Sequence, residues 1–261
     1  MDPEGETALL EQHADVLFAR DATGRLVSLN DPEGDAAPRL FLARGRTSMR
    51  TWFRADVPGV VRDACRMLAA ELPAWDGREP DASLFEPLRA ALSAEMPAPG
   101  EAPASAETRG HASASTAAGE MSAAGETRGP AFRFGARVEV PLVADVRLID
   151  EASADLLERF FPYTRSVLAW RAPVVGVVVD GVVVSACYSA RRRPLACEAG
   201  VATMEPYRGR GFGALVVSTW RDAVEREGRR PLYSTTWDNG ASRAIARRLG
   251  LVAYADTLAL T

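Results

Sequence analysis

The spacing of apolar residues predicts a first structured region over residues 1–96. Short apolar runs separated by turn residues indicate strands, and apolar residues recurring every three or four positions indicate helices. The predicted elements are a hairpin over 16–30, strands over 39–45 and 49–57, and helices over 60–72 and 81–96. No constellation of catalytic residue types stands out in this region, which we interpret as a small α+β domain.

A second structured region is predicted over residues 131–261. Two apolar runs on either side of Asp180-Gly181 are typical of a hairpin. The other predicted elements are a strand and helix over 146–161, a strand over 197–204, a helix with Phe212, Leu215, Val216, Trp220, Ala223 and Val224 on one face, a strand over 231–239, a helix over 240–250 and a strand over 251–260. Strands come first and helices alternate with them later, so we expect an α+β or mixed α/β fold with a mixed sheet.

Residues 97–130 differ from both regions in composition. They consist almost entirely of Ala, Gly, Ser, Glu, Thr and Pro, and they contain two near copies of one segment, at 100–110 and 119–129. Such a composition buries too little apolar surface to offset the entropy lost on ordering. We therefore predict a flexible low-complexity linker between two domains.

Composition and charge narrow the function classes. The formal net charge is −4 and the pI about 5.4, which argues against a nucleic-acid partner. No apolar run approaches the length of a membrane span, and residues 1–20 do not resemble a secretory signal. The three cysteines lack metal-ligand spacing and indicate a reducing, cytoplasmic location. The only histidines are His13 and His111, so we expect neither a histidine triad nor a zinc site.

All 31 basic residues are arginines, because the chain contains no lysine. A Schiff-base lysine and the lysine of a nucleotide-binding P-loop are thereby excluded. Arginine without lysine is also typical of a GC-rich bacterial genome.

The segment with the clearest chemical pattern is the turn Arg208-Gly209-Arg210-Gly211-Phe212-Gly213, between a predicted strand and a predicted helix. A helix N-terminus exposes unpaired N–H groups and partial positive charge, and glycines let an anion approach the backbone. The turn therefore suits a pyrophosphate. A tight turn without a ligand and a dinucleotide-binding turn are the alternatives; residues 205–208 separate the first glycine from the strand, which disfavours the latter.

With its preceding Pro206-Tyr207, this turn resembles the signature R/Q-x-x-G-x-G/A of the GNAT superfamily of acyl-CoA N-acyltransferases. Asn239, Ser242 and the segment 247–251 resemble a second element of that family. The resemblance covers about residues 140–261 and does not extend to residues 1–130. It implies a mostly antiparallel mixed sheet flanked by helices, with acetyl-CoA as acyl donor and no metal.

The resemblance also implies which residues bind the donor. The backbone at Val201, Ala202 and Thr203 would bond the pantetheine arm, and the segment Arg208, Gly209, Arg210, Gly211, Phe212 and Gly213 would hold the pyrophosphate. Asn239 and Ser242 would complete the site; for Asn239 a helix N-cap is the alternative role. The sequence leaves the oligomeric state open, and a homodimer is one of the alternatives.

Glu198 is the predicted general base. It lies on the predicted strand over 197–204, near the position where members of the GNAT superfamily carry a catalytic glutamate. A structural ion pair with Arg191 is the alternative. The family's usual general acid is a tyrosine, but Ala246 stands at the matching position. Tyr233, Tyr254, Ser242, Cys187 or solvent remain as substitutes.

Two functions follow from these residues. The first is an N-acetyltransferase that transfers an acetyl group from acetyl-CoA to an unidentified amine by direct transfer in a ternary complex. The second is a non-catalytic acyl-CoA-binding or regulatory module, which the missing tyrosine favours. Only a short segment follows the Leu-Gly element at 249–250, so we also expect residues 1–96 to cover a sheet edge or the acceptor cleft.

Overall fold

A computed structural model of the chain describes residues 2–94, 125–142 and 144–261. The α-helices are α1 (Pro3–Leu17), α2 (Gly59–Ala70), α3 (Glu86–Ser93), α4 (Pro162–Ser166), α5 (Leu168–Arg171), α6 (Phe212–Arg226) and α7 (Gly240–Arg248). The strands are β1 (Phe18–Arg20), β2 (Leu26–Leu29), β3 (Leu40–Arg44), β4 (Met49–Phe53), β5 (Glu126–Arg133), β6 (Asp145–Ile149), β7 (Val174–Val179), β8 (Val182–Arg192), β9 (Ala196–Thr203), β10 (Arg230–Ser234) and β11 (Val252–Leu260).

Nine of the described strands form one sheet, in the order β4-β3-β11-β5-β10-β9-β8-β7-β6. Its neighbouring strands are antiparallel except for β9 and β10, which are parallel. Strands β1 and β2 form a separate hairpin. The fold is therefore mixed α+β with a mostly antiparallel sheet, as the resemblance to the GNAT superfamily implied.

Helices cover both faces of the sheet. Helix α6 packs with Trp220 and Val216 against β7 to β10, and α2 and α3 pack farther along the same face against β3, β4 and β11. Helix α1 covers the opposite face around β3, β11 and β10, and the segment from Ala154 to Leu168 covers that face over β7 and β8. The sheet thus separates two layers, here called the α6 face and the α1 face.

The apolar spacing did not predict α1, although its start has clear signals. The Asp2 carboxylate accepts a hydrogen bond of 2.7 Å from the Gly5 N–H, Pro3 occupies the first position, and Glu4 lies in the first turn. Its buried residues are Glu6, Leu9, Leu10, His13, Ala14, Val16 and Leu17. Two of these seven are polar, which weakens the apolar pattern that a sequence-based prediction depends on.

Two strands of the first region, β3 and β4, belong to the central sheet. Strand β3 pairs antiparallel with β11 from Leu40 to Arg44, so the central sheet continues into residues 40–53. As expected, residues from the first region cover the outer edge of β11. The Arg44 Nη2 atom lies 3.1 Å from the Asp256 Oδ2 atom across this junction, with both side chains buried.

The predicted linker over 97–130 is wrong for its last residues. Residues 126–133 form β5, which lies between β10 and β11 and contributes Ala131 to the core. Small residues such as Gly129 and Ala131 suit this position, since a Cβ on Gly129 would lie 1.7 Å from the Thr235 carbonyl oxygen. The rest of the predicted linker, residues 97–124, lies outside the described residues.

Candidate functional site

Strands β9 and β10 separate after a short parallel stretch. They pair only at Arg230↔Ala196, Pro231↔Cys197 and Leu232↔Glu198. Beyond that point, at Tyr233 and Ser234, β10 pairs only with β5, its neighbour on the other side. Glu198 is therefore the last β9 residue before the two strands diverge, and a gap opens between them on the side of Thr203.

The backbone of β9 directs polar groups into this gap. The Met204 N–H donates to the Val184 carbonyl of β8 at 2.9 Å. Because backbone direction alternates along an antiparallel strand, Ala202 also bonds toward β8, whereas Val201 and Thr203 direct their N–H and C=O groups toward β10. At Val201 and Thr203, β10 has already diverged.

The glycine turn lies at the wide end of the gap. Gly211 precedes α6 with φ 84°, a left-handed conformation that favours glycine. The backbone N–H groups from Gly209 to Ala214 donate to no acceptor among the described residues. The Arg208 Nε atom donates to the Thr203 carbonyl at 3.1 Å, which fixes the turn against β9. This arrangement of free N–H groups at a helix N-terminus suits an anion.

A cleft of about 840 Å³ joins the turn, the free edge of β9 and the start of α7. Its lining includes nine of the predicted donor-binding residues: Val201, Thr203, Arg208, Gly209, Gly211, Phe212, Gly213, Asn239 and Ser242. Ala202 and Arg210 do not line it. Ala202 faces the α1 face, and the Arg210 guanidinium lies 5.1 Å from the Tyr207 ring and donates to the Pro206 carbonyl. Arg248, which the sequence analysis did not single out, also lines the cleft.

Asn239 and Ser242 meet at the start of α7. The Asn239 Oδ1 atom accepts a hydrogen bond of 2.9 Å from the Ser242 N–H, so Asn239 is the N-cap of this helix. The Ser242 hydroxyl lies 2.6 Å from the Tyr233 hydroxyl. Burial raises the pKa of Tyr233. Ala246 is buried in the core beneath the cleft.

Glu198 points to the opposite, α1 face, where it is 2% exposed. Its Oε1 atom accepts a hydrogen bond of 2.5 Å from the Ser234 hydroxyl, whereas Oε2 has no hydrogen-bond partner among the described residues. Burial raises the pKa of Glu198 to about 7, against the opposing effects of the Ser234 hydrogen bond and the Arg191 charge. A carboxyl group with this pKa exchanges protons near neutral pH.

His13 of α1 lies beside Glu198, which the sequence analysis did not anticipate. Its Nε2 atom is 3.6 Å from the Glu198 Oε2 atom, and neither ring nitrogen is hydrogen-bonded to a described residue. Burial, followed by the Arg191 charge, lowers the pKa of His13 to about 3. The imidazole is therefore neutral at pH 7, and its interaction with Glu198 is that of a dipole and not an ion pair.

Arg191 reaches the same place because of a bulge in β8. The register shifts between Ser189 and Arg191, so Arg191 lies directly opposite Glu198 and shares its face of the sheet. Its nearest carboxylate is Asp31, at 3.7 Å, and no Glu198 oxygen lies within ion-pair distance of it. The alternative of a direct Glu198–Arg191 ion pair therefore does not describe the geometry, although the two charges interact.

A second, small cavity of about 30 Å³ lies on the α1 face, next to Glu198. His13, Arg191 and Ser234 line it together with one threonine each from β5 and β11 and the two threonines that follow β10. The Tyr254 hydroxyl and the Thr235 hydroxyl nearby also lack partners among the described residues. Several buried polar atoms at one place thus have unused hydrogen-bonding capacity.

The described residues contain no group of three or more His, Cys, Asp or Glu side chains placed to hold a metal ion. In the same part of the chain, no helix combines the length and apolar character that crossing a membrane requires.

Comparison with known proteins finds likeness at the level of structure. Neither a protein-family model nor a curated protein matches the sequence. A GCN5-related N-acetyltransferase-like protein from Streptococcus suis aligns with 52% of this chain and 62% of its own, at 18% identity and a TM-score of 0.40. A GCN5-related N-acetyltransferase from Sphaerobacter thermophilus aligns with 51% of this chain and 50% of its own, at 19% identity and a TM-score of 0.38.

An acetyltransferase of the GNAT family from Colwellia psychrerythraea aligns over 100% of this chain and 98% of its own, at 8% identity and a TM-score of 0.44. The alignments with the other two proteins span less than two thirds of each of those chains. At such identities the similarity concerns the fold alone.

Proposed function

We propose that the protein is an acetyl-CoA-dependent N-acyltransferase that acts on a small amine by direct transfer in a ternary complex. The observation that carries this proposal is the position of Glu198. A carboxyl group whose pKa is raised to about 7 lies where β9 and β10 diverge, at the narrow end of a gap whose wide end is lined by free N–H groups.

The cleft supports the donor half of the proposal. The free N–H groups from Gly209 to Ala214 suit the pyrophosphate of coenzyme A, and Arg208 and Arg248 add positive charge at the same turn. The backbone groups that Val201 and Thr203 direct into the gap suit the amides of the pantetheine arm, which would add to β9 as a further strand; the Thr203 carbonyl also accepts from Arg208. Asn239 and Ser242 line the facing wall.

The α1 face supports the acceptor half. The neutral amine attacks the carbonyl carbon of the thioester, the C–N bond forms, the C–S bond breaks, and Glu198 takes the proton that the nitrogen loses. At pH 7 a pKa of about 7 leaves a large fraction of Glu198 ionised and able to accept that proton. The Ser234 hydroxyl fixes the carboxylate orientation through its hydrogen bond to Oε1.

The leaving thiolate requires a proton, and we assign to the Ser242–Tyr233 pair the stabilisation of the thiolate while solvent supplies that proton. Of the four candidate side chains, only Ser242 lines the cleft, and Tyr233 is hydrogen-bonded to it. Cys187 is buried away from the cleft, and Tyr254 lies on the α1 face. Ser242, held by its hydrogen bond to Tyr233, donates a hydrogen bond to the sulfur, and solvent protonates the thiolate.

The second candidate is a non-catalytic acyl-CoA-binding module. Ala246 at the position of the family's tyrosine and the low exposure of Glu198 favour it. Both candidates require acetyl-CoA binding, but only the first requires release of coenzyme A when an amine is present.

Thermal unfolding with acetyl-CoA tests the shared step. Acetyl-CoA raises Tm by binding the native state, and Gly211→Glu abolishes the rise because it adds bulk and negative charge at the free N–H groups. The control is Gly228→Glu, at the other end of α6, where φ is 75° and a Cβ meets no atom within 4 Å. It imposes a comparable strain and charge but leaves the ligand-induced shift intact.

Wild-type protein without a Tm shift at millimolar acetyl-CoA contradicts both candidates. A shift without coenzyme A release on a broad amine panel favours the non-catalytic module. Release that depends on the amine supports the acyltransferase.

A further inference from the structure

His13 is a buried polar residue of α1 that takes no part in the transfer described above. Neither of its ring nitrogens has a hydrogen-bond partner among the described residues. Its Nε2 atom lies 3.6 Å from the Glu198 Oε2 atom, which is also buried and also lacks a partner in that part of the chain. Both groups have given up their hydrogen bonds to water, so their juxtaposition requires a physical reason.

Glu198 needs a partner that serves both of its protonation states. When the carboxylate is ionised, Oε2 is an acceptor and needs a donor. Because Oε1 accepts from the Ser234 hydroxyl, the proton of the neutral acid belongs on Oε2, which then needs an acceptor. A general base passes through both states in each turnover, and a partner suited to only one of them leaves the other short of a hydrogen bond.

A neutral imidazole meets both demands. One ring nitrogen carries a proton, the other carries a lone pair, and the two tautomers exchange these roles. The tautomer with the proton on Nε2 donates to the carboxylate, and the tautomer with the proton on Nδ1 accepts from the acid. Burial and the Arg191 charge lower the pKa of His13 to about 3, so the ring stays neutral where Glu198, with its pKa of about 7, titrates.

The other charged or titratable neighbours are less well suited to this task. Those that interact with Glu198 among the described residues are Arg191 from β8, Tyr233 from β10 and Tyr254 from β11, and Asp31, Glu33 and Arg171 act in turn on Arg191. An arginine only donates, and the Tyr233 hydroxyl is hydrogen-bonded to Ser242 on the α6 face. The Tyr254 hydroxyl, which lacks a partner among the described residues, is the alternative to His13.

The space beside His13 allows the tautomer to change. When Nε2 loses its proton, Nδ1 must gain one, so the ring remains neutral. His13 lines the cavity of about 30 Å³ together with Arg191 and Thr235, whose Nε and Oγ1 atoms also lack partners among the described residues. A water needs roughly 10–15 Å³ of such a cavity, and it both donates and accepts, so it can exchange the proton with Nδ1.

We propose that His13 is a positioning residue for Glu198, which holds the Oε2 atom throughout the proton-transfer cycle by exchanging tautomers. This inference rests on the function proposed above, since a general base must change its protonation state in each turnover. The separation of 3.6 Å exceeds hydrogen-bond range by roughly 0.5 Å, and small rotations of the two side chains close it. A residue outside the region that resembles the GNAT superfamily thereby orients the base.

Imidazole ¹⁵N NMR of the full chain tests the tautomer exchange directly, because the chain contains only two histidines, His13 and His111. Loss of a signal in His13→Gln identifies His13. Its proton should lie on Nε2 at high pH and on Nδ1 at low pH, with a midpoint near 7 and no imidazolium signal. Glu198→Gln should abolish this transition. Signals that do not change between about pH 5 and 9, or a transition that persists in Glu198→Gln, overturn the inference.

The pH dependence of kcat/KM tests the consequence for the base. His13→Phe keeps a planar ring, for which the cavity has room, but removes the donor and the acceptor. The ionised carboxylate then loses a hydrogen bond, so the pKa of Glu198 should rise by about 1. Relative to the wild type, kcat/KM should fall about five-fold at pH 7 and hardly at all at pH 9. His13→Gln keeps a donor and an acceptor and should restore most of the loss.

Two further variants complete the series. Gln12→Met is the matched control on α1, because the Gln12 side chain donates to the Leu195 carbonyl at 3.4 Å and not to Glu198, and its pH profile should equal that of the wild type. Tyr254→Phe tests the alternative partner. A rise of the kinetic pKa in Tyr254→Phe but not in His13→Phe would assign the role to Tyr254 and overturn the inference.

The outcomes separate this inference from the proposed function. If amines release coenzyme A and folded His13→Phe loses the same factor at pH 7 and pH 9, the inference is wrong and the acyltransferase stands. The same holds if His13→Gln is no better than His13→Phe. If the NMR transition follows Glu198 but no amine releases coenzyme A, the pairing of His13 with Glu198 stands and the acyltransferase fails.

Discussion

The two faces of the sheet are built on different principles. On the α6 face, the cleft consists largely of backbone groups from one contiguous segment, from Val201 to Ala214, with α7 as the facing wall. On the α1 face, the surroundings of Glu198 consist of side chains from segments far apart in sequence: His13, Arg191, Ser234 and Tyr254. The first is a local structure, and the second exists only in the complete fold.

This difference has a chemical counterpart. Backbone N–H groups and glycines are suited to a phosphate-bearing donor, whatever the acceptor. Side chains from several elements can vary independently, so they are suited to distinguishing one acceptor from another. If the proposed function holds, residues 1–54, which include His13, would influence acceptor choice together with the strands around Glu198.

The largest expected effect separates the two faces by chemistry. Glu198→Gln keeps the shape of the side chain but removes the base, so kcat should fall by about 10²- to 10⁴-fold. The Tm shift with acetyl-CoA should equal that of the wild type, because the glutamine lies on the other face. Glu151→Gln, an exposed residue, serves as the control and should change neither quantity. Loss of acetyl-CoA stabilisation in Glu198→Gln would show that the two faces are not independent.

A second variant tests the junction between β3 and β11, which lies on the α6 face beneath α2 and α3. Arg44→Met leaves the buried Asp256 carboxylate with the Trp237 Nε1 atom, at 2.8 Å, as its remaining hydrogen-bond donor. Removal of one member of a buried ion pair should lower the free energy of unfolding by about 3 kcal/mol, measured by urea denaturation. The ligand-induced Tm shift should persist.

Arg50→Met is the matched control for Arg44→Met, because Arg50 lies on β4 with a partly exposed side chain 3.6 Å from Glu11. Its loss should cost less than about 1 kcal/mol. Equal destabilisation by both variants would contradict a special role for the Arg44–Asp256 junction.

The pH dependence of stability sharpens the comparison, since the perturbed acid–base pair lies on the α1 face. The pKa of Glu198 is raised to about 7 in the folded state, so its contribution is fully present below about pH 4.5 and is lost as the pH rises through 7. The pKa of His13 is lowered to about 3, so its contribution is present above about pH 6.5 and is lost on acidification. Between about pH 4.5 and 6.5, acidification therefore adds the stabilising contribution of Glu198 and removes that of His13.

Glu198→Gln removes one of these opposing terms and leaves the other. Between pH 8 and pH 5, the wild type should gain about 2 kcal/mol in unfolding free energy relative to this variant. Urea denaturation of both proteins at the two pH values measures the difference. Parallel pH curves for the two proteins would mean that the Glu198 carboxyl is not protonated near pH 7.

The smallest expected effect lies on the α6 face. Asn239→Ala removes the N-cap of α7 and should cost about 1 kcal/mol of unfolding free energy. It should also weaken acetyl-CoA binding, because the start of α7 forms the facing wall of the cleft. Asn239→Asp keeps a capping oxygen and should preserve stability, so the two variants separate capping from any direct contact with the ligand.

The sequence was a good guide to the α6 face. The glycine turn, α6, the Asn239 cap and the hairpin about Asp180-Gly181 depend on short-range patterns, and the structure contains each of them. Even there, the side to which each residue faces was not fully predictable. Ala202 lies between two cleft residues but points away, because strand neighbours alternate.

The α1 face was not predictable from the sequence. His13 lies 185 positions before Glu198, and no local pattern joins them. Arg191 shares a face with Glu198 only because of the bulge after Ser189, which inverts the alternation that a regular strand would show. The strand β5 was missed because small and polar residues such as Gly129 look like linker, and only its two neighbours in the sheet give them a reason to be extended.

The central position of β5 also affects the order in which the chain folds. Residues 126–133 pair with strands about a hundred residues later in the sequence, at 232–234 and 252–260. The hairpin of β3 and β4 joins the sheet through β11 as well. Such distant pairings are slow to form, and until they do the newly made first half carries uncovered strand edges. A polypeptide still being synthesised at residue 250 cannot close its sheet. The edges of β3 and β5 therefore stay unpaired until β11 has been made.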